Sequence, residues 1–242
     1  MKVYNKLAEY YDEVFKIDYE KEAGVCHEVI KKLGGSAGKL LDVGCGTGGH
    51  MKAFKELGYE VEGLDSSNEM IRQARYKLPR AKFYKMKMQE VNLAGTYDVI
   101  TLLSRTLLYL DDEKEIKVTL RRLQDHLEPM GLLVIDLDLH KDYFNPDKSS
   151  TNYFNDEGVE GSITEDYELK DNKVLWSVNL SIKKEDDVTR VVDNQEYLLI
   201  NPKKLVKWMK EIHLIPTIYS SNGRKTSNYE QPLIIGAKNL TM

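Results

Sequence analysis

Hydrophobic positions fall into two rhythms along the chain. In the first half, short apolar runs alternate with stretches of helical spacing. "KLLDV" (39–43) is a brief apolar run ending in a glycine loop, and it reads as a buried strand. Met51, Phe54 and Leu57 then recur at helical spacing, with Gly58 as a natural stop. "YEVEGLD" (59–65) is a second strand closing on Asp65. Ser66 and Glu69 follow as an S-x-x-E capping box, opening a helix that carries Met70, Ile71 and Ala74 and halts before Pro79. "AKFYKM" (81–86), "YDVITLL" (97–103) and "GLLVIDL" (131–137) supply three more strands. A helix over 112–127 carries Ile116, Leu120, Leu123 and Leu127 on one face. This alternation predicts an α/β fold built on a doubly wound, mostly parallel sheet.

The period then changes. Val174, Trp176, Val178, Leu180 and Ile182 alternate with polar partners, as in a half-buried strand. Asp171-Asn172 joins it to "GSITEDYELK" as a two-residue hairpin turn, and "VTRVVDNQEYLLI" (188–200) completes an antiparallel three-stranded meander. Asn201-Pro202 opens a helix, after which "IPTIYS" and "QPLIIGAK" read as closing strands that bring the main sheet to seven. The expected organisation is one domain: an N-terminal helical lid (1–36), a core (37–140), an insertion (160–200) and a return to the sheet (201–242).

Composition narrows the class. A length of 242 residues, 41% of them hydrophobic, supports one ample core with an elaboration. A net charge of −4 argues against a broad basic footprint for nucleic acid. "MKVYNKLAEYYDE" has no apolar core of a signal peptide, and the aliphatic run "LLVI" is far too short to span a membrane. Cys26 and Cys45 form no C-x-x-C pair, and no histidines have metal spacing, so no metal is expected and a reducing cytoplasm is the default.

The glycine loop poses the chemical question. Gly44, Gly46 and Gly49 fit G-x-G-x-x-G, yet Asp42 stands two residues before the first glycine. A dinucleotide would bring two phosphate charges toward that carboxylate. The repulsion is about 1 kcal/mol in water-like surroundings and about 4 at an effective dielectric of 20, for charges roughly 4 Å apart. S-adenosylmethionine (SAM) brings an ammonium and a sulfonium, for which the same carboxylate is favourable. Asp65 does not discriminate, because an acid ending the second strand can receive ribose hydroxyls from either ligand.

"LLDVGCGTG" resembles the first motif of class I SAM-dependent methyltransferases, and "LDSSNEMI" resembles the D-x-S-x-x-M that follows in many of them. "LEPMGLLVID" is similar to their L-x-P-G-G turn, with Met130 in place of the first glycine. "YYDEVF", "DYEKEA" and "LLYL" are similar to segments of small-molecule N-methyltransferases, especially amino-sugar N,N-dimethyltransferases. The resemblance implies a Rossmann-like methyltransferase fold with SAM as cofactor and a small-molecule acceptor, an amine. It implies that Gly44, Cys45 and Gly46 let the backbone approach the methionine moiety. It also implies that Asp42 lies near its charge, Asp65 and Ser66 meet the ribose, and Met70 packs near the adenine. Leu103 and Ser104 would border the methionine tail. Tyr11 and Tyr19 would close over the cofactor, or else simply pack an amphipathic helix. Where many class I enzymes place an acid for the adenine amino group, Lys87 stands here; lysine cannot accept that bond, so Gln89 and the backbone and side chain of Met88 are expected to serve.

A neutral amine needs no strong base, and proximity alone supplies roughly 7–11 kcal/mol in well-oriented intramolecular reactions. Asp136 and Asp138 share one face after the fifth strand and can orient an amine, or are a solvated loop pair. His140 can act as base or be an exposed histidine of no consequence. Tyr109, Tyr143 and Tyr153 can line an acceptor pocket or pack a lid, and that pocket is expected between the meander, the N-terminal segment and the 104–109 loop. Lys203, Lys207 and Lys210 read as a solvated helix face rather than an RNA surface. The meander can alternatively serve a homodimer. A non-catalytic SAM-binding regulator and an NAD-dependent oxidoreductase stay open as other readings.

Overall fold

The computed structural model describes residues 4–5, 8–137, 139–140, 149–156, 159–185, 187–226 and 231–239. Strands β1 (Lys39–Val43), β2 (Glu60–Asp65), β3 (Lys82–Lys85), β4 (Tyr97–Leu102) and β5 (Leu127–Asp136) alternate with helices α3 (Gly49–Glu56), α4 (Asn68–Lys77) and α5 (Glu113–Asp125). Two helices precede them, α1 (Tyr11–Phe15) and α2 (Tyr19–Lys32). After an insertion come α6 (Pro202–Glu211), β10 (Leu214–Ser220) and β11 (Pro232–Lys238). The sheet order is β10-β11-β5-β4-β1-β2-β3. β1 to β5 pair in parallel, while β11 lies antiparallel to β5 and β10 antiparallel to β11. The order reverses between β1 and β4, and the open crevice beyond their carboxyl ends is where such sheets bind ligands.

Apolar layers cover both faces, which is why the central strands read as continuous hydrophobic runs. Ile116, Leu120 and Leu123 of α5 and Leu205 and Met209 of α6 pack on one face with Leu41, Val43 and Ile100. Ala23, Cys26, Val29 and Ile30 of α2 pack on the other with Met51 and Phe54 of α3. The segment expected as an N-terminal lid thus divides: α2 is a core helix, while among the described residues before it Tyr4, Asn5 and Tyr11 line the crevice.

The insertion is a second sheet of four strands rather than three: β6 (Ser150–Asp156), β7 (Val159–Lys170), β8 (Lys173–Lys184) and β9 (Asp187–Leu198), paired antiparallel in that order. β6 escapes a pattern-based reading because it is a polar edge strand, with Phe154 buried and Tyr153 82% exposed. The hairpin at 171–172 stands as expected, with Asp171 at φ 57° and Lys170 facing Lys173. Val174, Trp176, Val178, Leu180 and Ile182 are all buried and join the same core as Val14, Leu107 and Leu108. Among the described residues, no helix is long and apolar enough to cross a membrane.

Two local departures have physical causes. The cap of α4 is Ser67, whose hydroxyl accepts from the Met70 N–H at 3.3 Å, and not Ser66. The helix starts one residue late because the Asp65 carboxylate already takes the Ser67 N–H at 2.8 Å. At the start of β5, pairing jumps from Tyr97–Leu127 to Val99–Leu132, so residues 128–131 bulge out. Met130 sits there at φ 67° and is 56% exposed. A left-handed conformation costs a side-chain-bearing residue roughly 1–2 kcal/mol, and glycine gives part of that back to chain entropy. Met130→Gly is therefore expected to raise stability by about 0.5–1 kcal/mol in urea unfolding, and a destabilised variant would contradict this account.

Candidate active site

A cavity of about 450 Å³ opens beyond β1, β2 and β4, within the usual size range of small-molecule sites. Its floor is the glycine loop. Gly44, Gly46 and Gly48 hold φ of 73°, 51° and 80°. A β-carbon on Gly44 would meet Thr106 at 2.5 Å, while the space beside Gly46 is open. Gly44 and Gly46 both line the cavity.

Asp65 stands at the end of β2 and also lines the cavity. Its two oxygens accept one backbone bond each, from the Gly46 N–H at 2.9 Å and the Ser67 N–H at 2.8 Å. A carboxylate has about four acceptor directions, so capacity remains for a ligand hydroxyl. Burial raises its pKa above the ordinary aspartate value, although the surrounding N–H groups oppose the shift. Ser66, Ser67, Leu64, Met70, Met86, Lys87, Met88 and Gln89 continue this wall. Gln89 directs its amide Nε2 toward Glu115 Oε1 at 3.5 Å, which leaves its carbonyl oxygen as the uncommitted end.

The opposite wall comes from the N-terminal segment and the loop after β4: Tyr4, Asn5 and Tyr11, with Ser104, Thr106 and Tyr109. Tyr109 is bonded through its hydroxyl to Tyr4 and, at 2.9 Å, to the Tyr197 hydroxyl on β9. Tyr197 in turn stacks on Trp176 with ring centroids 5.8 Å apart. Among the described residues the insertion thus backs this wall through Tyr197 without lining the cavity. Burial pushes the phenols of Tyr4, Tyr11 and Tyr109 well up, and that of Tyr197 to about 12.

Several expected residues lie elsewhere. Asp42 is buried within the sheet, where its Oδ1 accepts from the Thr101 hydroxyl at 2.7 Å, so its side chain does not reach the cavity. Burial raises its pKa, against the opposing influence of His50 and the Thr101 bond. Cys45 and Leu103 are buried behind the loops rather than on the wall. Tyr19 packs on the outer side of the glycine loop, edge-on to His50 at 4.9 Å. Asp136 does not line the cavity: it takes the backbone N–H groups of Ser104 at 2.7 Å and Arg105 at 3.4 Å, bracing the loop after β4. His140 is buried, not exposed. Tyr153 is exposed and does not line the cavity. Asp138 and Tyr143 lie outside the described residues. Among the described residues no three His, Cys, Asp or Glu side chains come together as ligands for a metal ion.

Pattern reading missed Tyr4 and Thr106, which carry no periodic or motif signal, and the roles of Tyr197 and Trp176, whose strand pattern says nothing of the wall they back. Arg105 was missed too: its guanidinium donates to the Tyr167 hydroxyl at 3.2 Å and lies 5.9 Å from the Tyr197 ring centre.

Comparison with known proteins agrees with this architecture. Residues 40–131 match the family model described as "Methyltransferase domain". The chain is 26% identical over 205 residues to a dTDP-3-amino-3,4,6-trideoxy-alpha-D-glucopyranose N,N-dimethyltransferase of Streptomyces venezuelae, covering 84% of this chain and 79% of that protein. It is 30% identical to a dTDP-3-amino-3,6-dideoxy-alpha-D-glucopyranose N,N-dimethyltransferase of Streptomyces fradiae, where the match spans 54% of this chain and 52% of the other. In fold it is similar to the sugar N-methyltransferase KedS8 from a Streptoalloteichus species, with a TM-score of 0.86, 20% identity and coverage of 96% and 91%. The Streptomyces venezuelae DesVI structure gives a TM-score of 0.83 at 22% identity over 98% and 97%. By loop motif, matched domain and sheet order, the chain is similar to class I SAM-dependent methyltransferases, and among them to small-molecule N-methyltransferases.

Proposed function

We propose that the enzyme methylates the amine of a small, hydroxyl-bearing molecule of the amino-sugar class. The observation that carries this reading is the two-sided cavity, one wall suited to SAM and the other made of hydrogen-bonding tyrosines. The first wall fits the cofactor on its own geometry. Gly46 has open space where a β-carbon would stand, Asp65 keeps acceptor capacity, and Leu64, Met70 and Met86 form an apolar slot for a flat ring. In this reading Gly44 and Gly46 hold the methionine moiety, Asp65 and Ser66 the ribose, and Met70, Met88 and Gln89 the adenine. Bound SAM supplies an electrophilic methyl group on a sulfonium sulfur.

The chain's own part is positioning and exclusion of water. Tyr4 and Tyr11 cover the cavity from the N-terminal side. Their phenols, like that of Tyr109, stay protonated near neutral pH because burial disfavours the phenolate. They therefore act as hydrogen-bonding partners for acceptor hydroxyl and amine groups, and not as bases. Neither Asp136, which lies off the cavity wall and braces the backbone, nor the buried His140 is assigned as base. A neutral amine loses its proton after transfer, when it has become far more acidic than a hydroxyl. The comparisons favour methyl transfer over nicotinamide chemistry.

The direct test incubates the protein with SAM and a panel of small amines that includes nucleotide-linked amino sugars. Formation of S-adenosylhomocysteine together with one or two methyl additions on an amino sugar, by mass spectrometry, is the expected outcome. Tight SAM binding with no S-adenosylhomocysteine from any amine would favour the regulator instead.

A further inference from the structure

Behind the cavity, four elements meet at one carboxylate. Asp12 of α1 accepts at Oδ1 from the Tyr19 hydroxyl and from the Thr47 hydroxyl, both at 2.8 Å. Its other oxygen is paired with the Lys77 ammonium, and Lys77 also donates to Thr47 Oγ1 at 3.0 Å. Tyr19 begins α2, Thr47 is the centre of the glycine loop, and Lys77 ends α4. The pair is largely shielded, with side-chain exposures of 28% for Lys77 and 33% for Asp12. Burial alone would raise the Asp12 pKa, but Lys77, Thr47 and Tyr19 together hold it below the usual carboxylate range.

None of these four residues lines the cavity, yet their chain neighbours Tyr11 and Gly46 do. The cluster therefore ties the covering segment to the cofactor loop from outside. An isolated surface ion pair would contribute little. This one joins three donors from three elements to a single carboxylate on the covering segment.

We infer that Asp12 is a latch that holds residues 8–16 closed over the cavity, so that cofactor and its demethylated product exchange only when the latch opens. This rests on the SAM-site reading above. A latch that touches no ligand affects entry and exit alike. Weakening it raises association and dissociation together and leaves affinity nearly unchanged. A variant that merely damages the site raises dissociation alone.

The experiment is stopped-flow binding of S-adenosylhomocysteine to the full chain, with melting temperature measured alongside. For Asp12→Asn both rate constants are expected to rise about tenfold, the scale of one lost charge-assisted bond. Lys77→Met should do the same, Lys77→Arg should stay close to the parent, and the double variant Asp12→Asn/Lys77→Met should add little to either single change. Lys77→Met carries the test if Asp12→Asn fails to fold. Unchanged rates, or faster dissociation without faster association, in a folded variant would overturn the latch while leaving the cofactor site standing. Failure of the unmodified protein to bind S-adenosylhomocysteine would overturn the site reading itself.

Discussion

Gly46→Ala is expected to leave the protein folded while weakening cofactor binding by more than roughly a hundredfold, about 3 kcal/mol. The basis is the environment of the missing β-carbon. No atom lies within 4 Å of its ideal position, so the protein itself can accept a methyl group there. The conformational cost is the roughly 1–2 kcal/mol of a left-handed residue, which a domain of this size tolerates. A methyl group on the loop that lines the cavity, however, stands in the way of any ligand that must approach this backbone. Gly44→Ala is expected to behave differently. Its β-carbon would meet Thr106 Cγ2 and Oγ1 at 2.5 Å, and that hydroxyl is committed to the Leu103 carbonyl at 2.8 Å. Relief therefore requires the loop after β4 to move. Its melting temperature should drop clearly further than that of Gly46→Ala. Calorimetry with S-adenosylhomocysteine and thermal melting separate the two cases, and normal affinity in Gly46→Ala would refute the placement of the ligand on this loop.

The contrast between the two glycines marks how far sequence reading reaches. Both are legible as loop glycines from strand and motif, because a buried parallel strand needs a continuous apolar run and the loop needs positive φ. What Gly44 faces is set by Thr106, which arrives from the loop after β4, whereas Gly46 faces open space. The same holds for the acids. Asp42, Asp65 and Asp136 all stand at or near strand ends, and nothing local tells that the first bonds Thr101, the second lines the cavity and the third caps Ser104. Strand ends place a side chain near the crevice, but the neighbouring strand decides whether it is already occupied.

The insertion shows the complementary limit. β8 alternates cleanly because one of its faces is buried, and its hairpin turn carries its own signature. β6 has no such face, and its pairing is set by β7 rather than by its composition. Tyr197 lies in an ordinary alternating strand, and its link to Tyr109 spans elements that only the tertiary fold brings together. This packing also bears on a test by deletion. Removing 160–200 would expose Leu107 and Leu108 as well as β6, so loss of activity would report unfolding and not the acceptor site. Tyr197→Phe, which keeps the ring and removes one hydroxyl, is the cleaner probe of the acceptor wall.

Asp65→Ala is expected to weaken cofactor binding by about 3 kcal/mol, roughly a hundredfold, the upper range for hydrogen bonds to a charged group. The effect exceeds one lost ligand contact because the carboxylate also positions the loop. Removing it frees the Gly46 and Ser67 N–H groups, and the first belongs to the backbone that would face the methionine moiety. Asp65→Asn is no conservative control, since its amide nitrogen would have to face one of two N–H donors. The pH dependence gives an independent check. Burial raises the Asp65 pKa above its ordinary 3.8, so the folded protein holds this proton to a higher pH than the unfolded chain does. The contribution of the group to stability is therefore full below the unfolded value and is lost as pH rises through the folded one. Ribose hydroxyls donate to the ionised form, so binding draws the proton off and affinity falls on acidification through the range above 3.8. Asp42 also has a raised pKa, chiefly from burial and partly from the charge of Asp65, so in Asp65→Ala its acid response weakens as well and the flattening reports the pair. Calorimetric titration at several pH values should show the steeper acid loss in the parent and a flatter profile in the variant. Superimposable profiles would place the ribose away from Asp65.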